Sequence, residues 1–364
     1  MADLSVKLFD FTLKNPVMPA AGPPIKDAEA AHAAKEGGTG AIVTKTISTE
    51  AAQVPRPNMA QLRGGFMNTE LWSEMGPEKW LEDEYPEIKK TGLPIIVGLG
   101  YSADQISELA KKVEPYADAL ELSTHYLGSD PTPVIESVKA AKEAVDLPVM
   151  VKLSPQVDIA KFASAAEEAG ADGLVLINSF GPTLDFNIES GKPLMGSEDG
   201  YGWLSGEAIF PLAFRTVFEA VEAVDIPVLA VGGISTGEDA VKMIMAGAQA
   251  VQVCTAAILK GPGIYQKIAD EIEEYLDKHG YENLDQIRGM AQKNAPEKAN
   301  YETIVPDIIR ENCTGCRLCI TSCVYDANYL DEDDKIVIDE EKCAGCGLCV
   351  TRCNFDALSL STQR

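Results

Sequence analysis

Eight of the nine cysteines in this 364-residue chain fall into two copies of one pattern near its C-terminus. The first runs Cys313-x2-Cys316-x2-Cys319-x3-Cys323, and the second Cys343-x2-Cys346-x2-Cys349-x3-Cys353. A thiol at every third residue of a tight loop brings three thiolates towards one point, and a fourth from elsewhere completes the corners of an iron–sulfur cubane. Two runs at identical spacing are not a chance event. The segment is expected to move single electrons, so the chain before it is expected to do redox chemistry.

Other uses of these cysteines fit poorly. A disulfide framework suits a short secreted domain, whereas this chain is long and begins Met-Ala-Asp without a signal peptide. Zinc sites usually pair two thiols with two further ligands, and here each run already holds four. In two-cluster proteins of this kind the fourth ligand is exchanged between motifs. The expected sets are therefore Cys313, Cys316, Cys319 and Cys353 for one [4Fe-4S] cluster, and Cys343, Cys346, Cys349 and Cys323 for the other. Such runs often continue with proline; Val324 and Asn354 stand there instead.

The formal charge of −25 argues against a nucleic-acid partner, which would need a basic footprint. No apolar run approaches the length of a bilayer span, so the expectation is a soluble, cytoplasmic protein with no membrane partner. Oxygen-sensitive thiolate clusters point to a reducing, anoxic or oxygen-protected setting.

Residues 16–260 repeat one rhythm, a short β-branched run, a loop, then an Ala-, Glu- and Lys-rich helical stretch. The expected strands are Val17–Ala20, Ala41–Thr44, Ile95–Gly98, Ala119–Leu122, Val149–Lys152, Leu174–Ile177, Val228–Val231 and Ala250–Val253. Pro94, Pro148 and Pro227 introduce three of them, where a missing amide proton is tolerated. Strand alternating with helix eight times reads as a (β/α)8 TIM barrel. A doubly wound sheet would need a nucleotide-binding glycine turn after the first strand, and Ala20-Ala-Gly-Pro-Pro24 is not one. The expected domains are a barrel over 1–282, a connector over 283–310, and a small α+β bacterial-type ferredoxin domain over 311–364.

Function in such barrels gathers after the C-terminal ends of the strands. Gly232-Gly-Ile-Ser-Thr-Gly237 follows the seventh strand and Cys254-Thr255 the eighth, where glycine amides and a helix N-terminus can hold a phosphate. Lys45 and Lys152 end apolar strands, a costly place for a charge without an electron-rich partner. Asn178 and Ser179 follow the sixth strand, and Asn68 lies in the long loop after the second.

These segments resemble the flavin-dependent dihydroorotate dehydrogenase family across nearly all of residues 4–260. The matching stretches are Asn15-Pro-Val-Met-Pro-Ala-Ala-Gly22, Thr44-Lys-Thr46, Val151-Lys-Leu-Ser-Pro155, Gly170-Ala-Asp-Gly-Leu-Val-Leu-Ile-Asn178, Leu204-Ser-Gly206 and Val231-Gly-Gly-Ile-Ser235. With the cysteine motifs, the layout is similar to the C-terminal half of dihydropyrimidine dehydrogenase. The resemblance implies FMN, with its phosphate at Gly206, Gly232, Gly233, Cys254 and Thr255. It implies the ring over Ala20, Ala21 and Gly22, with Lys45, Thr46, Lys152 and Asn178 at its polar atoms. It assigns Asn68, Ser123, Asn178 and Ser179 to the substrate, and it implies a homodimer.

One loop departs from the family. Where the family has Glu-Leu-Asn and then a serine or cysteine that exchanges a proton with the substrate, this chain has Glu121-Leu-Ser-Thr-His-Tyr-Leu-Gly128. Counted without gaps, Ser123 replaces an asparagine and Tyr126 falls at the acid/base position beside His125. Tyr126 or His125 is thus the expected proton donor. The reading is an FMN- and iron–sulfur-dependent oxidoreductase acting on a C–C/C=C bond of a small substrate. Ferredoxin or a separate reductase subunit is its expected electron partner, since Gly37-Gly-Thr-Gly40 precedes a strand and is no nicotinamide fingerprint. The alternatives are a dihydropyrimidine or dihydroorotate dehydrogenase with an atypical acid/base residue, and a non-catalytic electron-transfer subunit.

Overall fold

Parallel strands cannot be joined by tight turns, so each needs a crossover long enough to hold a helix. The computed structural model describes residues 1–124 and 126–360, and it carries this alternation into a closed ring. Its strands are β1 (Val17–Pro19), β2 (Ile42–Val43), β3 (Ile95–Leu99), β4 (Ala119–Ser123), β5 (Val149–Leu153), β6 (Gly173–Leu176), β7 (Val228–Val231) and β8 (Ala250–Val253). Each pairs in parallel with its sequence neighbour from β2 through to β8, and β8 pairs with β1. Gly40 N–H donates to Val17 O at 2.8 Å, which joins the second strand's entry to the first and closes the barrel.

The connecting helices are α1 (Ala28–Glu36), a helical run over 77–89, α2 (Ala103–Val113), α3 (Thr132–Ala144), α4 (Ile159–Glu168), α5 (Phe210–Ala223), α6 (Gly237–Met245), α7 (Thr255–Lys260) and α8 (Ile264–His279). Their starts are written in the sequence. Ser102 with Gln105 and Thr236 with Asp239 form reciprocal capping boxes on α2 and α6, and Asp158 caps α4. Each helix turns its small and branched residues to the strands. On α2, Ile106, Leu109, Ala110 and Val113 are buried at helical spacing.

A hairpin of Val6–Leu8 and Phe11–Leu13 covers the N-terminal end of the barrel. Its Phe9 ring reaches Gly173 at the start of β6, and Gln249, just before β8, donates to Lys7 O at 3.1 Å. The other end stays open. There the loops after β2 and β6 fold into an antiparallel sheet in the order Phe180–Thr183, Gly202–Ser205, Gly65–Asn68, Met59–Leu62.

Gly37 and Gly38 find their use here. A Cβ on Gly37 would lie 2.2 Å from Pro262 O, and one on Gly38 2.2 Å from the Gln266 side chain, so both let α1 end against the start of α8.

The chain divides into two units, Met1–Ala295 and Pro296–Arg364. The stretch expected as a connector over 283–310 is therefore shared between them. Leu284 and Ile287 are buried in the barrel's apolar core, and two such anchors hold 283–295 there. Asp307–Ile308 pairs with Leu358–Ser359 inside the second unit.

The second unit contains the short helices Leu318–Thr321 and Leu348–Thr351 and the hairpin Asn328–Leu330/Ile336–Ile338. The duplication extends to the backbone. Gly315 and Gly345 have φ of 69° and 66°, Arg317 and Gly347 66° and 75°, Asp326 and Asp356 51° and 52°. Its core comprises Ala327, Ile336, Ile338, Val350, Ala357, Leu358, Leu360 and three of the cysteines. So small an apolar set does not hold a domain by itself, and a bound metal supplies the rest.

Barrel closure rests on close helix contacts that single methyl groups would break. A Cβ on Gly237 would lie 2.3 Å from Glu271 Cβ and 2.9 Å from the Glu271 carbonyl carbon, on the flank where α6 meets α8. Gly237→Ala is expected to destabilise the barrel by about 1–3 kcal/mol, the usual effect of overpacking. The urea midpoint of the purified protein checks it.

Candidate active site

A cleft of about 290 Å³ opens at the C-terminal ends of the strands. Its floor is polar, and deliberately so in physical terms. Lys152 on β5 points into the barrel axis, where Glu121 on β4 and Gln252 on β8 meet it. Lys152 Nζ lies 3.1 Å from Glu121 Oε1 and 3.4 Å from Gln252 Oε1, while Gln252 Nε2 donates to Glu121 Oε2 at 2.6 Å. Glu121 and Gln252 have no exposed surface at all. Both charged groups of the trio have partners of opposite polarity, as a buried charge requires.

The loops after β7 and β8 form one end of the cleft. Gly232 and Gly233 take φ of 134° and 78°, and a Cβ on either would come within 2.7 Å of Ala213 or Phe210 on α5. Only glycine fits, and the bare backbone faces the cleft. Gly206, with φ 79°, sits beside Thr255, whose hydroxyl is 2.9 Å from Ser205 Oγ. Helix α7 begins at Thr255 with no side-chain cap, leaving its first amides for another acceptor. Lys260 at its far end also lines the cleft and donates to Ser235 O at 3.5 Å.

Ala20, Ala21 and Gly22 form the wall after β1. A Cβ on Gly22 would stand 3.1 Å from Cys254 Sγ, so the sulfur already packs against this loop. Burial pushes the Cys254 thiol up, against the pull of Lys152 and Lys45, so it stays a neutral packing group.

The rest of the cleft is built by the loops after β2, β3, β4 and β6. Lys45 and Thr46 are buried, and Lys45 Nζ lies 2.5 Å from Glu70 Oε2. Asn68 lines the cleft but spends its amide on the scaffold, donating to Trp203 O at 3.3 Å and accepting from Glu70 N–H at 3.1 Å. Asn178 Oδ1 accepts from Ser179 N–H at 2.8 Å, and Ser179 and Ser123 complete the polar side. Trp72 and Tyr101 close the opposite side, their rings 4.9 Å apart at 61°.

The sequence-expected FMN and substrate residues thus converge on this cleft. Tyr126 does not. Its ring stacks on Phe162 of α4 at 6.2 Å, and its hydroxyl lies over Gly128, where a Cβ would be 2.1 Å away. The apolar flank of α4 draws the ring out of the barrel mouth. His125 lies outside the described residues. Sequence reasoning missed Glu70, Trp72, Tyr101, Gln252 and Lys260. Tyr101 was within reach of the rule already applied to the other loops, since it follows β3 by two residues.

In the second unit the cysteine sulfurs surround two small hollows. Cys313, Cys316, Cys319 and Cys353 line one, and Cys323, Cys343, Cys346 and Cys349 the other. Backbone amides point at four sulfurs: Ile336 at Cys313 (3.3 Å), and Ala327, Gly345 and Ala357 at Cys323, Cys343 and Cys353 (3.4 Å each). Such bonds favour thiolate and tune a cluster's potential. Burial pushes the Cys319 thiol up to about 11 and Cys349 up as well, so these sulfurs ionise against iron rather than alone.

Both units fit their groups on these grounds. The glycine backbone, the uncapped α7 and Lys260 suit a phosphate; the Lys152 network suits the polar edge of a flavin; the duplicated sulfur sets suit two cubanes. Among the described residues no helix is long and apolar enough to cross a membrane.

Comparison with known proteins agrees. A family profile described as dihydroorotate dehydrogenase matches residues 3–276, and one described as a 4Fe-4S dicluster domain matches residues 312–357. The chain is similar to the protein named dihydroorotate dehydrogenase B (NAD(+)), catalytic subunit, from several organisms. The Methanothermobacter thermautotrophicus protein is 35% identical over 301 residues, 79% of this chain and 98% of that one. For Methanosarcina mazei the identity is 38% over 306 residues, 80% of this chain and 96% of the relative, and for Geobacter sulfurreducens 36% over 302, 79% and 97%. The barrel with its flavin cleft and the two-cluster module make the chain a flavin- and iron–sulfur-dependent oxidoreductase of CH–CH groups, a member of the dihydroorotate dehydrogenase family.

Proposed function

We propose that this chain exchanges electrons between an external carrier and a small unsaturated substrate, through its own clusters and the flavin cleft. Bound FMN supplies hydride exchange with one substrate carbon and links single-electron to two-electron steps. The observation that carries the reading is the union, in one chain, of a flavin cleft with two sets of four cysteines. The matched relatives are used almost to their full length by the match, and the cluster motif falls at 312–357. Their names call them catalytic subunits, which supports a separate electron-donating partner, a ferredoxin or a reductase subunit, for this chain too.

The protein's own residues do the following. Lys152, fixed by Glu121 and Gln252, presents a positive charge to the polar edge of the ring. Gly232, Gly233 and the first amides of α7 bind the phosphate, with Lys260 as its countercharge. Asn178, Ser179 and Ser123 orient the substrate. The proton that accompanies hydride transfer needs a donor in the cleft, and Tyr101 is that donor. Tyr101 lines the substrate side of the cleft beside Trp72. Proton delivery to the carbon beside the hydride acceptor is general-acid catalysis of the ordinary kind.

A second reading, dihydroorotate as substrate, is favoured by the relatives' names and by Asn178 and Ser179 in the cleft. It keeps the same electron route.

Anaerobically purified protein is expected to contain FMN and to reduce an activated C=C bond with reduced viologen dye, but not to oxidise NADH rapidly by itself. Rapid NADH oxidation by the single chain would remove the need for a partner. Tyr101→Phe is expected to lower viologen-driven turnover by on the order of 10²–10⁴-fold, the worth of a general acid. Tyr126→Phe is expected to leave turnover nearly unchanged; the opposite pattern returns the donor to the 124–128 loop.

The four sulfurs around each hollow support the ligand sets Cys313, Cys316, Cys319, Cys353 and Cys343, Cys346, Cys349, Cys323. Iron analysis of double variants checks the exchange. Cys313→Ser with Cys353→Ser should cost about four irons per chain, whereas Cys313→Ser with Cys323→Ser should cost nearly all. Equal losses from the two pairs refute the crossed assignment.

A further inference from the structure

The two cysteine runs are duplicates in backbone but not in charge. The residue after the second cysteine of each run lines the hollow beside it, and it is Arg317 in the first run and Gly347 in the second. Both take positive φ, 66° and 75°, so the first run holds a guanidinium where glycine fits with less strain. Lys335 brings a second cation to the same hollow. Its Nζ donates to Cys313 O at 2.5 Å, and the next backbone amide, that of Ile336, points at Cys313 Sγ. Arg352 precedes Cys353, where the first run has Ser322 before Cys323.

Among the described residues, none of these three bases has a carboxylate at ion-pair distance, whereas Arg310 is held by Asp331 and Asp333. On the other side Lys342 precedes Cys343, but it is paired with Asp339 at 3.1 Å. Asp334 opposes the free bases, since its Cβ lies 3.4 Å from where a Cβ on Gly315 would stand. It is one carboxylate against three cations.

Other influences nearly balance. Each sulfur set receives two backbone amides, at Cys313 and Cys353 and at Cys323 and Cys343. Each run has one exposed cysteine, Cys316 and Cys346. Cys313 and Cys353 are buried, against Cys349 alone in the other set. Burial that resists added negative charge also strengthens the cations beside it. Asn328, which lines the second hollow and donates to Cys319 O at 3.1 Å, brings only a neutral dipole.

Reduction makes a thiolate-bound cluster one unit more negative, so an unanswered cation beside it favours the reduced form. We propose that Arg317 and Lys335 give the cluster of the first cysteine run the higher reduction potential, and so fix where a single electron rests in this unit. An external one-electron donor is oxidised as that cluster is reduced, and no bond or proton changes hands. The inference rests on the reading that both runs bind [4Fe-4S] clusters. It does not depend on which run lends the fourth thiol, because Cys313, Cys316 and Cys319 belong to the first cluster in either case.

The test is an anaerobic redox titration of the holoprotein with dithionite and mediators, read by the electron paramagnetic resonance of the reduced clusters. Arg317 is exposed, so low ionic strength is used, where its field is least screened. Iron analysis of the same samples, at about eight irons per chain after reconstitution, establishes that both clusters are present. A shortfall in iron overturns the cluster reading and this inference with it, whereas a wrong order of reduction overturns the inference alone. Wild type should show two one-electron steps, the electron favouring one cluster at least tenfold, or about 59 mV. Arg317→Gly should lower the upper step alone and narrow that ratio at least threefold. Lys335→Gln should act in the same direction, and Gly347→Arg should raise the lower step. The proposal falls if the two steps coincide in wild type, or if Arg317→Gly moves the lower step or neither. Where Arg317→Gly loses iron, Lys335→Gln and Gly347→Arg decide by the same criteria, and the wild-type gap decides if they lose it too.

Discussion

A lysine buried at the bottom of a barrel is tolerable only if its charge is answered, and Lys152 is answered by Glu121 and Gln252. The three come from β5, β4 and β8, so the network ties strands that are not all neighbours across the barrel axis. Removing Glu121 would leave an unpaired buried ammonium, which costs about 3–5 kcal/mol. The same trio that satisfies the core fixes the position of the Lys152 ammonium at the floor of the cleft. Because its members stand on strands rather than loops, the charge has little freedom to move, which is what a redox site needs from its supporting shell. Stability and chemistry meet in one set of contacts.

The two units are held together by different physics. The barrel has a continuous apolar core and would bury its strands without any ligand. The cysteine unit counts three thiols among its few buried residues, and its backbone amides are aimed at sulfur. Its turns take matching positive φ in both repeats, although Arg317 stands in the left-handed region where its counterpart is Gly347. That position costs about 1 kcal/mol or more for a side-chain-bearing residue. The repeat keeps the conformation anyway, since three sulfurs from one short loop must face one point.

Much of this was legible because it depends on local pattern. The eight β-branched runs reappear as strands with ends shifted by at most one residue, and proline marks three of their starts. Glycines after β7 and β8 were readable because their place after a strand decides their role. The placement of Tyr126 in the loop after β4 was not legible. Tyr126 is aimed by Phe162, 36 residues further along and on a helix, and spacing within the loop says nothing about that flank. Glu70, Trp72 and Tyr101 were hidden for a related reason: they belong to long or irregular segments in which no period tells which side chain turns inward. Gln252 looked like one polar residue in an apolar strand, and only its buried partners explain it.

The chain has 56 acidic residues and 31 basic ones, so carboxylates compete for nearly every lysine. In the cleft that competition is visible at both ends. Lys45 and Lys152 are neutralised by Glu70 and Glu121, whereas Lys260 is bonded to the backbone carbonyl of Ser235. Beside the glycine loops Lys260 shares the lining with Glu207, which accepts from Ser235 Oγ at 3.0 Å, so that end too carries one charge of each sign. The pull on a phosphate there would come from the glycine backbone and the uncapped first amides of α7 rather than from an unanswered lysine.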